Sequence, residues 1–475
     1  MRYPPLLTDF YELTMLAGYF EQGMTRKRAV FDLFFRKNPF EGGYAVFAGL
    51  EPALDYLEGL AFRPEELAYL HGLGLFKPEF IEFLREFRFR GTVTAPPEGS
   101  VVFANEPLLT VEGDLAEAQF VETALLTIIN FQTLVATKAA RIVRSAAGAP
   151  VIEFGLRRAH GPDGGLSCAR AACVGGVCST SNVQAGMIFG LEVRGTHAHS
   201  WVQAFTDELA AFRAYAEVFP AATVLLVDTY DTLHSGIPNA ITVARELRAR
   251  GHELRGIRLD SGDLAYLSRE GRRMFDAAGF PGVKIMASNE LDEFVIESIR
   301  AEGGRIDMYG VGTRLATASG VGGGALGGVY KLVELAAMPR MKVTSDLAKA
   351  TVPGRKRLMR VYGAGGEMLQ DVLCLEQDRL TAGDTVYDPA HPLQRTVLPA
   401  GCLLRDLRRV VMRDGQRNEP PEPLFTLSAR SREELDRLPP GCLRLINPHR
   451  YKVSLSERLH GVRNELIGQL HCREG

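Results

Sequence analysis

The stretch LRGIRLDSGD (254–263) runs from a mostly apolar strand straight into a cluster of charged, hydroxyl and glycine residues. Arg258 and Asp260 flank a single leucine at the join. Working outward, the same pattern recurs. VIEF (151–154) precedes GLRRAHGPDGG, GLEV (190–193) precedes RGTHAHS, and ATVLLV (222–227) precedes DTYDTLHSG. VKIMA (283–287) precedes SNELDE, and IDMYGV (306–311) precedes GTRLA. Five of these six strands lead into a helix-like segment; after the sixth the helix signal is weak. Val202, Phe205, Leu209, Phe212, Ala216 and Phe219 mark one helical face by their spacing. GGVYKLVEL (327–335) offers a seventh strand. Near-continuous apolar strands alternating with helices predict an α/β fold whose parallel sheet is covered on both faces.

The flanks read differently. TDFYELTMLAGYF predicts a helix entered at Thr8 or Asp9, and RAVFDLFFRK and GGYAVFAGL predict two strands around a glycine-containing loop. RPEELAYLHGL and KPEFIEFLREF predict short helices with proline near their starts. EAQFVETALLTIINFQTLVATKAARIV predicts one long helix. The expected divisions are an N-terminal α/β domain over 1–130, a catalytic β/α domain over 131–345, and a C-terminal segment over 346–475 that packs back on the others.

Length and composition set limits. A chain of 475 residues, 46% hydrophobic and 24% charged, suits two or three soluble domains. A net charge of −2 supplies no long-range attraction to nucleic acid or membrane. No apolar run approaches the roughly 18 residues of a membrane span, and the N-terminus makes a poor signal peptide, so a cytoplasmic protein is expected. Seven cysteines, an odd count, fit reduced thiols. Cys168, Cys173 and Cys178 recur every fifth residue, the wrong spacing for structural zinc, and read as small buried residues.

In α/β folds of this kind ligands bind at the carboxyl ends of the strands. Six loops distant in sequence would therefore meet at one mouth, bringing together Arg157, Thr196, His197, His199, Asp228, Arg258, Asp260, Ser261, Ser288, Asn289, Gly312 and Thr313. Turn and cap chemistry explains any one cluster. All six together favour a site. Arginine forks and strand-to-helix amides suit carboxylate and phosphate. No phosphate-binding P-loop occurs, and GLGLF is a poor dinucleotide fingerprint.

LLTDFYELTMLAGY, EFGLRRAHGPDGG, GTHAHS, DTYDTLHSG, IRLDSGDL, GVGTRLAT and GGVYKLVEL, in that order, resemble the nicotinate phosphoribosyltransferase family. The resemblance runs to about residue 335, helped by NEPLLTVEGDLAEAQFVETALLTIINFQTLVATKAARI; the C-terminal third is similar mainly in position and length. It implies an irregular, TIM-like β/α barrel with an α+β sandwich domain formed by the N- and C-terminal segments. It implies that nicotinate and 5-phosphoribosyl 1-diphosphate give nicotinate mononucleotide and diphosphate, with ATP hydrolysis coupled and Mg2+ on the diphosphate. It also implies a homodimer with shared active sites.

The family's roles fall here on matching positions. His199 would be phosphorylated by ATP, and His197 would be a bystander. Phe154 would stack on the pyridine ring, Tyr11 of a second copy would cover its other face, and Thr196 would lie nearby. Arg258 would meet the carboxylate of nicotinate. Asp260, and with it Asp228, would sit near the ribose or its magnesium. Thr313 with Gly312 would hold the 5-phosphate, with Ser288, Asn289 and Arg157 as further phosphate or ribose contacts and Lys138 and Arg141 as outlying additions. Asn182 stands where nicotinamide-using relatives carry an acid; it also reads as a helix N-cap. The cysteines at 168, 173 and 178 depart from the family pattern.

Three alternatives remain at this stage. One is the same fold acting on nicotinamide or on quinolinate. A second is a metal-dependent barrel hydrolase using His197 and His199 as a ligand pair. The third is an inactive scaffold, against which stand His199, Arg258, Asp260 and Thr313.

Overall fold

The computed structural model describes residues 3–342, 350–391 and 394–471, so the division expected at 345/346 lies outside the described residues. The chain forms two compact units, one holding Met1–Leu134 with Val321–Gly475 and the other Val135–Gly320. The division at 134/135 falls inside the helix Glu122–Ser145.

In the unit Val135–Gly320 seven short strands form one parallel sheet: β1 (Val151–Glu153), β2 (Ser179–Thr180), β3 (Glu192–Val193), β4 (Val224–Leu226), β5 (Gly256–Leu259), β6 (Lys284–Ala287) and β7 (Met308–Val311). Their order across the sheet is β3-β2-β1-β7-β6-β5-β4. That is chain order read cyclically, with a break between β3 and β4. Leu225, Ile257, Leu259, Ile285 and Val311 are fully buried, as strands covered on both faces must be. Helices follow the strands, and their polar leading residues cap them. The side chains of Asn182, Asp207, Asp263 and Asp292 accept from amides in the first turns of Val183–Phe189, Glu208–Val218, Leu264–Ala277 and Glu293–Ala301. After β7 only the four-residue helix Thr313–Ala316 forms, in keeping with the weak signal there. Cys168 and Cys173 are buried on the helix Gly161–Val174, and Cys178 is partly exposed; all three are free thiols.

The seventh parallel strand is not the one expected. GGVYKLVEL forms Gly328–Leu335, which pairs antiparallel with Arg28–Phe35 in the other unit. The parallel sheet takes Ser179–Thr180 instead, a strand of two residues with no apolar run to announce it.

The unit built from both chain ends holds an antiparallel seven-stranded sheet, a six-stranded sheet and a two-stranded ladder. Arg28–Phe35 lies between Gly328–Leu335 and Leu109–Asp114, and Phe31 stacks on Tyr330 with centroids 4.9 Å apart. Leu109–Asp114 alternates buried and half-buried residues, the signature of a sheet with one solvated face. GGYAVFAGL yields only Ala45–Val46, paired with Val101–Val102 in the two-stranded ladder. The expected long helix is divided at Val121 into Leu115–Phe120 and Glu122–Ser145.

At the break between β3 and β4 a side chain replaces a ladder. His197 is 7% exposed, and its Nε2 accepts from the Leu226 amide at 3.2 Å. With Nε2 accepting, the proton is assigned to Nδ1, which lies 3.4 Å from the Ala198 carbonyl. The ring stands edge-on against Tyr215, centroids 4.8 Å apart. Burial pushes its pKa down to about 4, so the ring is neutral at pH 7. His197 is thus a fastening across the break.

This fastening carries a pH dependence. The folded-state pKa lies below the unfolded value, so the contribution is complete above about pH 6.5 and is lost as pH falls toward about 4. Its size is on the order of 3 kcal/mol. His197→Gln, which keeps an acceptor but cannot titrate, should flatten the pH 4–6.5 limb of stability in urea titrations. An unchanged limb would show that the titrating group lies elsewhere.

Candidate functional site

The carboxyl ends of the parallel strands meet around one guanidinium. Arg258 lies on β5, and its fork reaches three loops. Nη1 donates to Thr196 Oγ1 at 3.1 Å after β3, Nη2 to Asp260 Oδ1 at 3.0 Å after its own strand, and Nε to Ser288 Oγ at 2.8 Å after β6. Ser288 is buried and also donates to Asp260 Oδ1. Burial opposes ionisation of Asp260, but the Ser288 hydroxyl and the Arg258 charge outweigh it and hold the carboxyl below its ordinary value. Asp260 is therefore an anion at neutral pH.

Arg258 also lies over an aromatic face, its guanidinium carbon 5.6 Å from the centroid of Phe154. Phe154 follows β1, and its amide is fixed by the Val311 carbonyl at 2.8 Å. The ring packs over Gly310. A Cβ at Gly310 would come within 2.7 Å of Cδ2 of Phe154 and 2.8 Å of Cε of Met286, so only glycine leaves the ring its place. Behind it Glu153 is buried; its carboxylate accepts from the Gly155 amide and from Thr180 Oγ1, the latter at 2.6 Å. Burial raises its pKa against those two bonds. Thr180 in turn accepts from the Asn182 amide at 2.9 Å, so a buried acid ties the Phe154 turn to the Asn182 loop. Asn182 is 3% exposed, and its Oδ1 caps the helix Val183–Phe189 through the Ala185 amide at 3.1 Å.

His199 opens the helix His199–Gln203 and is partly exposed. Its Nδ1 lies 3.1 Å from Thr229 Oγ1, and its Nε2 lies 3.7 Å from Asp260 Oδ2. One ring nitrogen is thus anchored while the other faces the carboxylate. Asp228, after β4, accepts through Oδ2 from the Asp260 amide and from Ser261 Oγ, each at 2.7 Å. Its Oδ1 is buried without a hydrogen-bond partner. An unsatisfied carboxylate oxygen beside a second acid can receive a hydroxyl or hydrated cation.

Thr313 and Gly312 open the short helix after β7, but Thr313 Oγ1 donates to Glu290 Oε1 at 3.4 Å, so an anion arriving there meets a carboxylate first. Asn289 is exposed with φ of +84°, a left-handed conformation that asparagine tolerates better than most residues, so its type is accounted for by the turn. Arg157 is exposed on the turn Leu156–Arg158. Lys138 and Arg141 are not among the groups gathered by Arg258. Both are buried and engage Glu293, at 2.6 Å and 2.8 Å. Tyr11 belongs to the other unit, on the helix Phe10–Glu21, and is 44% exposed.

A cavity of about 490 Å3 lies within the sheet, with Phe154, Thr196 and Met286 in its wall and Arg255 and Lys284 at the amino ends of β5 and β6. Thr229, Glu290 and the Glu153–Thr180 pair escaped sequence reasoning. The acid inside the apolar run VIEF was the one available signal. Among the described residues no group of three or more His, Cys, Asp or Glu side chains could hold a metal ion. His197 spends Nε2 on a backbone amide, which removes the histidine pair required by a barrel hydrolase.

Comparison with known proteins gives consistent matches. Models of the nicotinate phosphoribosyltransferase N-terminal and C-terminal domains match residues 6–130 and 355–463. Nicotinate phosphoribosyltransferase of Bacillus subtilis (strain 168) is 43% identical, over 98% of this chain and 97% of its own. The Homo sapiens nicotinate phosphoribosyltransferase is 38% identical over 97% and 96%. The crystal structure of human nicotinic acid phosphoribosyltransferase superposes with a TM-score of 0.86 at 35% identity, covering 97% of this chain and 99% of that one. Nicotinate-nucleotide pyrophosphorylase from Pyrococcus furiosus, at 23% identity and a TM-score of 0.71, shares the fold over 91% and 95%.

The packing of Phe154 over Gly310 is directly testable. Gly310→Ala should displace the ring and cost about 1–3 kcal/mol of stability. A crystal structure of the variant with Phe154 unmoved would refute the close approach as the reason for the glycine.

Proposed function

The chain belongs to the nicotinate phosphoribosyltransferase family, and from that premise we propose that it joins nicotinate to the ribose of 5-phosphoribosyl 1-diphosphate, releasing diphosphate, in NAD biosynthesis. The observation that carries the reading is the pairing of Arg258 with the Phe154 ring: a cationic fork beside an aromatic face suits a pyridine carboxylate. Thr196, held on the same guanidinium, would lie at the edge of that slot. Asn182 supports nicotinate over nicotinamide, because a neutral, buried cap neither repels a carboxylate nor calls for an amide. For quinolinate a second carboxylate would need a second cation beside the ring.

Diphosphate leaves C1 of the ribose through a cation-like transition state as the ring nitrogen attacks, so no protein nucleophile is needed. Catalysis is positioning plus charge compensation. Asp260, held ionised, is suited to face the developing positive sugar. Mg2+, when bound, would neutralise the leaving diphosphate. The unsatisfied Asp228 Oδ1 and Asp260 fit it as outer partners. Gly312 and Thr313, with Ser288, Asn289 and Arg157, remain the proposed phosphate and ribose contacts, Glu290 having to yield at Thr313.

We further propose ATP coupling through His199. With Nδ1 on Thr229, Nε2 would attack the γ-phosphorus of ATP, forming N–P as the bond to ADP breaks; water later releases phosphate. The fold is proposed to be an irregular TIM-like barrel beside an α+β sandwich, and the working form a cytoplasmic homodimer in which Tyr11 of a second copy covers the pyridine. Among the described residues no helix is long and apolar enough to cross a membrane.

Two outcomes check this reading. His199→Ala should abolish ATP hydrolysis and the ATP-dependent gain in affinity while leaving a slow ATP-independent reaction; retention of hydrolysis would reject the phosphohistidine. Arg258→Ala should raise the Michaelis constant for nicotinate by about tenfold or more. If steady-state assays show the loss on 5-phosphoribosyl 1-diphosphate alone, Arg258 reads phosphate instead.

A further inference from the structure

The unit built from both chain ends contains a cavity of about 520 Å3, inside the roughly 300–1,000 Å3 range of small-molecule sites. Its charge is one-sided. Asp32 and Lys356 line it as a buried pair 2.8 Å apart and cancel each other. Among the described lining residues, that leaves Arg36, Lys37, Arg450 and Arg463 against the single carboxylate of Glu41. Part of the remaining wall is apolar, including Phe34, Phe103 and Leu373.

Arg463 makes this more than a basic surface. It lies on the helix Glu457–His471, is only 4% exposed, and lines the cavity. Its Nε is buried without a hydrogen-bond partner, and it has no ion pair among the described residues. Burial pulls its pKa down, and no carboxylate among the described residues pairs with it, whereas Arg360 in the same unit is fully buried but pairs with Asp371 and Glu434, each at 2.8 Å. A buried, uncompensated guanidinium is strongly unfavourable, so its retention at a cavity wall calls for an anion from solution.

We propose that this cavity binds a phosphate monoester of nucleotide size, its phosphate on Arg463 and Arg450 and the rest of the molecule against the apolar part of the wall. A surplus of several cations suits a dianion better than a single carboxylate, and an arginine fork suits its oxygens. This proposal is independent of the reaction proposed for the parallel-sheet unit.

The test is calorimetric titration of the full chain with AMP and, separately, with inorganic phosphate. Wild-type protein should show a class of AMP sites that Arg463→Met weakens by about tenfold or more and that Thr313→Val, at the catalytic mouth, leaves intact. Arg450→Ser, at an exposed rim position, should weaken the same class about threefold and serves if Arg463→Met fails to fold. Inorganic phosphate binding as tightly as AMP would support the anion cradle and assign it to the free ion. Isotherms unchanged in both arginine variants, or loss of the class in Thr313→Val alone, would overturn the proposal.

Discussion

A guanidinium is flat and its donors are fixed in direction, so Arg258 can satisfy three partners only if three loops bring them to one plane. Thr196, Asp260 and Ser288 do so from the ends of β3, β5 and β6. Parallel strands of two to four residues make this possible, because every strand ends at the same face and no long ladder separates the loops. The mouth is therefore a property of the sheet before it is a property of any residue in it.

Charge at the mouth is graded by surroundings. Asp260 stays ionised because a hydroxyl and a guanidinium offset its burial, while Glu153, buried behind Phe154 and given only a hydroxyl and an amide, is pushed toward its neutral form. The first acid can meet positive charge; the second fixes backbone. Lys138 and Arg141 belong to a third arrangement, in which two buried cations share Glu293.

Much of this was legible in sequence because short, mostly apolar runs alternate with polar loops and helix-like segments along 151–316. Ser179–Thr180 was not, since two polar residues carry no period, and GGVYKLVEL misled because an apolar run does not state which sheet it joins. The loop residues gathered by Arg258 were foreseen from their common position after strands. The fastening role of His197 was not legible because its partner is a backbone amide 29 residues away, nor was the pairing of Lys138, because Glu293 lies far along the chain. Contacts of that kind leave no local pattern.

The seam between β3 and β4 has a consequence for how such a mouth can change. Elsewhere the sheet's width is set by peptide groups, which every sequence has in common. At this join an imidazole accepts from the Leu226 amide, so a change of one residue can alter the spacing between the loops after β3 and β4. Thr196 and His199 stand on either side of that imidazole. Substitution there would retune the spacing of those two side chains without replacing either of them.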